Sequence, residues 1–156
     1  MSLRRDADEI IRASIQAVLP DEAVKKALEG KDFGSGKVRM VAAGKAAWQM
    51  AHAAAADLGD RLDAGVVVTK YDHVKGEIPG VVCFEAGHPV PDENSFRGTR
   101  AAIKLVENLS ARDTVLFLVS GGGSALFEEP LISGEELSDI TGQLLACGAD
   151  IVEMNT

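Results

Sequence analysis

An apolar segment of this chain ends in a serine, three glycines and a second serine, within residues 115–125 (VLFLVSGGGSA). A buried strand that delivers a loop to the edge of a parallel sheet has this pattern. Three consecutive glycines leave backbone N–H groups unshielded and free to adopt positive φ angles, so the loop can curl around a phosphate or carboxylate. We favour anion binding over the alternative, a flexible connection without a ligand. The residues assigned to this anion site are Ser120, Gly121, Gly122, Gly123 and Ser124.

A second candidate is the pair Gly44-Lys45, which follows the apolar segment 38–43. The pattern places Lys45 at the N-terminus of a helix, where a positive charge is unfavourable for the helix dipole. That placement indicates another task, namely neutralising an anion that the helix amides also hold. The alternative is a solvated lysine on an exposed first turn.

The third candidate is His88, which lies between Gly87 and Pro89. Pro89 and Pro91 stiffen this loop, and Asp92 can cap the helix that follows it. A histidine held in a rigid loop can bind substrate or shuttle a proton. The alternative is a ring that hydrogen-bonds to the backbone of its own loop.

These three segments need a scaffold that brings them together. Hydrophobic periodicity predicts strands and helices in alternation, which is typical of an α/β fold: a doubly wound, mainly parallel, Rossmann-like sheet with helices on both faces. In such a sheet the loops after all strands emerge at the carboxyl edge, where open α/β sheets place their ligands. Phe117 is expected in the core. The predicted strands are 38–43, 65–69, 81–85 and 114–119, and the predicted helices are 3–19, 21–28, 45–58, 93–109 and one from Ser133 towards the end of the chain.

Composition excludes several classes of protein. The chain has 156 residues, 46% hydrophobic and 26% charged, enough for one domain with a core. Its net charge of −8 argues against nucleic-acid and anionic-membrane partners. No apolar run approaches the roughly 18 residues that a membrane span needs, and the N-terminus is no secretory signal. Cys83 and Cys147 are predicted as buried free thiols in a reducing compartment, and we expect a cytoplasmic protein.

Common nucleotide and metal motifs do not fit. A P-loop needs a glycine five residues before the Gly-Lys pair and Ser or Thr after it, but around Gly44-Lys45 those positions hold Arg39 and Ala46. The dinucleotide fingerprint fails because Leu126 occupies its third glycine position. Residues 128–129 are two glutamates that could serve a metal, but a solvated acidic turn is preferred and no metal ligand is assigned.

Four segments in order resemble the N-terminal part of the class II glycerate kinases. This is the glycerate 2-kinase family, whose C-terminal domain is called MOFRL and whose members have often been labelled hydroxypyruvate reductase. No segment is specific alone, but together they span nearly the whole chain. They are VAAGKAA at 41–47, EAGHPVPD at 85–92, VSGGGSAL at 119–126 and EMNT at 153–156.

The resemblance implies an ATP- and Mg²⁺-dependent phosphoryl transfer to a hydroxyl of D-glycerate, in a cleft between two α/β domains. Lys45 would contact substrate or the transferring phosphate, where its charge offsets that of phosphoryl oxygens. Gly44 and the loop Ser120–Ser124 would supply amides and hydroxyls to the same anions. His88 would line the cleft.

The chain departs from the family in its length. Residues 1–156 correspond to an N-terminal α/β domain that we expect to be incomplete, with the C-terminal domain absent. We therefore expect no turnover from this polypeptide alone, and self-association, for example as a homodimer, through surface that the missing part would cover. Two other functions stay open: an NAD(P)H-dependent hydroxypyruvate reductase, which the failed fingerprint disfavours, and a non-catalytic sugar-phosphate-binding domain.

Overall fold

The computed structural model describes residues 2–154. Seven helices and four strands, with a 3₁₀ turn at Gly59–Arg61, follow one another along this part of the chain. In chain order they are α1 (Leu3–Ala17), α2 (Pro20–Leu28), β1 (Val38–Ala43), α3 (Ala47–Leu58), β2 (Leu62–Lys70), β3 (Val81–Ala86), α4 (Glu93–Val106), β4 (Thr114–Val119), α5 (Gly123–Leu126), α6 (Gly134–Ala146) and α7 (Ile151–Met154).

The four strands form one parallel sheet in the order β3-β2-β1-β4. Helices cover both faces: α2 and α3 lie over one, and α4 and α5 over the other. The predicted α/β, doubly wound, parallel architecture is confirmed.

Small side chains let α3 lie close to the sheet. Its alanines Ala47, Ala51 and Ala54 are fully buried, and they share a core with Met40 of β1 and Val67 of β2. The opposite face is built from the alternate residues of the same strands. There α4 and α5 pack on a second core of Val41, Val66, Val68, Ala86, Ala102 and Leu126.

Helix boundaries follow capping chemistry more closely than hydrophobic periodicity. Asp92 and Ser133 each form a capping box, at the starts of α4 and α6. The helix predicted from 45 begins only at Ala47, because its N-cap Ala46 has non-helical backbone angles (φ −101°, ψ 8°). The amides of Lys45 and Ala46 bond to the loop after β4. The helix predicted from Ser133 towards the chain end was wrong in extent. It stops at Ala146, and Gly148 shortly after it has the left-handed φ of 80° that is common where helices end.

Two predictions of burial were wrong. Phe117 is 51% exposed because β4 is an edge strand, and α4 packs mainly over β2 and β3. Cys147 is exposed at the end of α6, whereas Cys83 is half-buried in β3, and both are free thiols. Burial raises the pKa of the Cys83 thiol, with a smaller contribution from Glu85.

Within residues 2–154, none of the helices combines the length and the apolar character that crossing a membrane requires.

The contact between α4 and the sheet gives a test of this packing. A Cβ atom added at Gly98 would lie 2.7 Å from Val68 Cγ2, so Gly98→Ala overpacks the core. We expect a loss of about 1–2 kcal/mol in the free energy of unfolding, measured by urea denaturation. Gly142→Ala in α6 is the matched control, because a Cβ there meets no atom within 4 Å. It should stabilise the chain by up to about 1 kcal/mol through helix propensity. Equal effects of the two substitutions would contradict this packing.

Candidate active site

The chain changes direction across the sheet between β1 and β4. From β1 it proceeds to β2 and β3 on one side, and it then returns to place β4 on the other side of β1. The loops after β1 and β4 therefore leave neighbouring strands at a topological switch point. Open α/β sheets form their ligand crevice at such a point, beyond the carboxyl ends of the strands.

Ser120 joins these two loops. Its backbone N–H donates to the carbonyl oxygen of Ala43 over 2.9 Å. Its hydroxyl oxygen accepts a 2.9 Å hydrogen bond from the Ala46 N–H, and the Lys45 N–H donates to the Gly121 carbonyl oxygen over 2.9 Å. Ser120 therefore helps to fix the backbone on both sides of Lys45, and its predicted contact with an anion stays a prediction.

Glycine is required at position 44 by both conformation and space. Gly44 is buried with a φ of 115°, and a Cβ atom there would collide with the Ser120 side chain and backbone. Its carbonyl oxygen accepts a 2.9 Å hydrogen bond from Oγ1 of Thr69, which is fully buried at the end of β2. Thr69 was not among the predicted site residues, although a hydroxyl at the carboxyl end of a predicted strand is a signal for this position.

Lys45, His88 and Gly122 come together from the loops after β1, β3 and β4. A Cβ atom on Gly122 would lie 2.6 Å from His88 Nε2 and 3.1 Å from Lys45 Cε, so both side chains lie against this glycine. Lys45 is exposed and takes part in none of the ion pairs within the described residues. Its charge is available to an anion at this edge of the sheet.

The glycine loop ends in the short helix α5. Gly122 is its N-cap, with a left-handed φ of 81°. The first-turn amides of a helix have no acceptor within the helix, and those of Gly123 and Ser124 have none elsewhere in residues 2–154. Ser124 is exposed, and within residues 2–154 its hydroxyl makes no hydrogen bond. Ser124 was predicted in a loop, whereas the structure places it in the first turn of α5, and its role stays a prediction.

The loop that carries His88 is held by Asp92. Asp92 Oδ1 accepts hydrogen bonds from the backbone N–H groups of Asn94 (3.0 Å) and Ser95 (3.1 Å), and its Oδ2 accepts one from the Tyr71 hydroxyl (2.7 Å). Burial opposes ionisation of Asp92, but these hydrogen bonds outweigh it and lower the pKa of the carboxyl group. The Asp92 carboxylate therefore ties the His88 loop to both α4 and the loop after β2.

The environment of His88 disfavours its protonated form. Burial lowers the pKa of the imidazole, and the positive charges of Lys45 and Lys70 lower it further. The lowered pKa favours the neutral form of the ring. A neutral imidazole beside Lys45 can donate or accept a hydrogen bond without adding charge.

The described residues include no group of three or more His, Cys, Asp and Glu side chains that could hold a metal ion. Of the two glutamates considered for a metal, Glu129 pairs with Arg100 at 3.3 Å. Burial raises the pKa of Glu128. The acidic turn therefore provides no metal cage within this part of the chain.

A family model described as "Domain of unknown function (DUF4147)" matches residues 6–156. The chain belongs to this family. This DUF4147 domain is 52% identical to the D-glycerate 2-kinase of Thermotoga maritima, over 99% of the chain and 37% of that protein. It is 36% identical to a protein of Agrobacterium vitis provisionally named hydroxypyruvate reductase, over 100% of the chain and 35% of that protein.

The fold agrees with these relatives. A crystal structure of glycerate kinase from Thermotoga maritima superposes on the DUF4147 domain with a TM-score of 0.83 at 52% identity, over 98% of this chain and 37% of that one. The predicted resemblance to the N-terminal part of the class II glycerate kinases is confirmed. The chain spans less than two fifths of the length of the relatives it matches. Of the four motifs, the last two residues, Asn155 and Thr156, lie outside the described residues.

Substitution of Gly122 tests the contact between the three loops. In Gly122→Ala the new methyl group must displace the His88 ring, and alanine is strained at a φ of 81°. We expect a loss of about 1–3 kcal/mol of stability by urea denaturation, together with a shifted His88 Cε1–H resonance by NMR. Gly121→Ala is the control, because its Cβ meets nothing within 4 Å and no positive φ is required. An unshifted His88 resonance in Gly122→Ala would contradict the geometry.

Titration of His88 tests the electrostatics. Its pKa should lie below the 6.5 of an unperturbed imidazole, because burial and the two lysines disfavour the charged ring. Lys45→Met should raise the pKa of His88 towards 6.5. Lys37→Met should leave this pKa unchanged, because Lys37 directly precedes β1 and lies at the amino-terminal ends of the strands, opposite the site. Since the folded chain binds this proton less tightly than the unfolded chain, the His88 contribution to stability decreases as the pH falls below about 6.5. A pKa at or above 6.5 by NMR would refute this account.

Proposed function

We propose that this chain forms one wall of the active site of a D-glycerate kinase, which transfers a phosphoryl group from ATP to a hydroxyl of glycerate. The observation that carries the proposal is the convergence of Lys45 with the glycine loop at the switch point of the sheet. Both substrates are anions, and a lysine beside free helix amides is suited to phosphate and carboxylate groups. Relatives named as glycerate kinases at up to 52% identity support this choice of reaction.

We assign each residue its proposed role from where it lies at the carboxyl ends of the strands. Lys45 stabilises charge on a phosphate or on glycerate, because phosphoryl transfer depends on positioning and on electrostatic stabilisation of phosphoryl oxygens. The amides of Gly123 and Ser124 bind the same anion, while Gly44, Gly121 and Gly122 let the backbone approach it. Ser120 orients both loops through its hydrogen bonds. His88 lines the crevice as a neutral ring.

The phosphates of ATP fit this edge, because a lysine and free amides face them and no carboxylate pairs with that lysine within residues 2–154. Mg²⁺ fits less well, because the described residues offer no three-ligand cage. In this proposal the acidic side chains for Mg²⁺ come from the part of the full-length enzyme beyond this match. A cytoplasmic location, a C-terminal MOFRL domain and small-molecule rather than nucleic-acid or membrane partners belong to the same proposal.

A chimera tests the activity. Residues 1–156 are fused to the remainder of the Thermotoga maritima relative, and ATP-dependent phosphorylation of D-glycerate is measured by ADP release. We expect turnover by the chimera and none by the 156-residue chain. Lys45→Met should lower kcat/KM by about 10²–10³-fold, as expected for loss of a group that stabilises transition-state charge. Lys37→Met is the control, because Lys37 lies at the amino-terminal ends of the strands, and it should leave kcat/KM within about twofold of the parent.

The same chimera separates the other functions. Consumption of NADH with hydroxypyruvate, without phosphorylation of glycerate, would favour a reductase and overturn the kinase proposal. Tight binding of a sugar phosphate by the 156-residue chain, without activity in the chimera, would favour a binding domain. Equal activity of the Lys45→Met and parent chimeras would remove Lys45 from the site.

A further inference from the structure

A second lysine lies at the carboxyl edge of the sheet, beside the candidate active site. Lys70 is the last residue of β2, and β2 is the strand next to β1. Because side chains alternate along a strand, Lys70 lies on the same face as Val68, which is the face that α4 and α5 cover. Lys70 is partly buried there, and it was not among the predicted site residues.

The loops after the two edge strands meet over the strand that carries Lys70. His88 follows β3 and Gly122 follows β4, and β2 and β1 lie between these strands. Neighbouring strands are about 4.8 Å apart, yet a Cβ atom on Gly122 would lie 2.6 Å from His88 Nε2. The two loops together therefore bridge the ends of β2 and β1, where Lys70 and Lys45 lie. The charge of Lys70 reaches this bridge, since it adds to burial and to Lys45 in lowering the pKa of His88.

The ammonium group of Lys70 has no acidic partner within the part of the chain that the structure describes. It takes part in none of the ion pairs there, and it donates no hydrogen bond. The carboxylates on the adjoining elements have other partners: Asp92 accepts hydrogen bonds from the loop after β2 and from α4, and Glu85 accepts two from backbone N–H groups of the loop after β2. Glu85 pairs in register with Thr69, so it lies on the opposite face of the sheet from Lys70. The ends of β2 and β1 thus present two unpaired cations side by side.

We propose that Lys70 binds the carboxylate of the acceptor glycerate, while Lys45 and the amides of α5 hold the phosphoryl group. The inference rests on the proposed kinase function. The division follows from position: Lys45 lies against Gly122, next to the free amides of α5, and a lysine with helix amides suits a phosphate. Lys70 is one strand farther from that loop, at a distance that suits the second anionic group of a small substrate.

The proposal predicts which kinetic constant depends on Lys70. The carboxylate of glycerate keeps its charge while the phosphoryl group moves to the hydroxyl oxygen. Lys70 therefore binds the substrate and the transition state about equally, and its loss should raise KM and leave kcat unchanged. Lys45 differs, because it lies where charge develops on phosphoryl oxygens.

Substitution of Lys70 in the chimera with the remainder of the Thermotoga maritima relative tests this role. In Lys70→Met we expect the KM for D-glycerate to rise about 10–100-fold, as for loss of a hydrogen bond to a charged group. The KM for ATP and kcat should stay within about threefold of the parent. Lys70→Arg should recover most of the affinity, because it keeps the charge, and Lys37→Met is the control at the amino-terminal ends of the strands.

A change in the substrate tests the same contact on the unaltered protein. D-Glyceramide replaces the carboxylate of D-glycerate by a neutral amide, and the parent chimera should use it with about 10–100-fold lower kcat/KM. Lys70→Met should use the two acceptors about equally, because the partner of the carboxylate is absent in that variant. Lys45→Met should be slower with both acceptors but retain the preference for D-glycerate.

The outcomes separate this inference from the kinase proposal. A parent chimera that does not phosphorylate D-glycerate would overturn both. An active parent with an unchanged KM for D-glycerate in Lys70→Met would overturn the role of Lys70 alone. Loss of the preference for D-glycerate in Lys45→Met, with the preference retained in Lys70→Met, would assign the carboxylate to Lys45 and also overturn it.

Discussion

The close approach of two backbone segments, Gly44 after β1 and Ser120 after β4, is the constraint on which the candidate active site depends. Any side chain at position 44 would collide with Ser120, whose hydroxyl accepts the Ala46 N–H and helps to hold the two loops together. Lys45 lies between these contacts, so its backbone position is fixed by parallel pairing of two strands. The precision of the site comes from the rigid sheet beneath it.

A local positive potential arises here on a chain that is strongly acidic overall. Burial lowers the pKa of His88, and the charges of Lys45 and Lys70 lower it further. The net charge of −8 is therefore not a guide to what binds at the carboxyl edge. Small anions respond to the nearest charges and amide dipoles, because charges beyond a Debye length of about 8 Å are largely screened at physiological salt.

Local patterns in the sequence predicted the four strands, the longer helices and their layering, whereas the short helix α5 was not predicted. The four apolar segments became β1 to β4, and the Asp92 and Ser133 capping boxes mark helix starts. The order of the strands in the sheet could not be predicted, because the residues of a strand do not indicate which other strands pair with it. For the same reason Phe117 was wrongly expected in the core: its burial depends on what lies beside β4. Thr69 was missed because its partner, the Gly44 carbonyl, is 25 residues away in the sequence.

The hydrogen bond from Ala46 to Ser120 has a consequence for how the protein is made. The two residues are 74 positions apart, and a ribosome adds about 5–20 residues per second. For roughly 4–15 seconds, therefore, β1 and its glycine turn exist before the strand that completes them has been synthesised. Strands β2 and β3 can join β1 on its other side during that time, whereas the switch point forms last. The candidate active site therefore cannot form before residue 120 has been synthesised, and ligand binding there would report that β4 has joined β1.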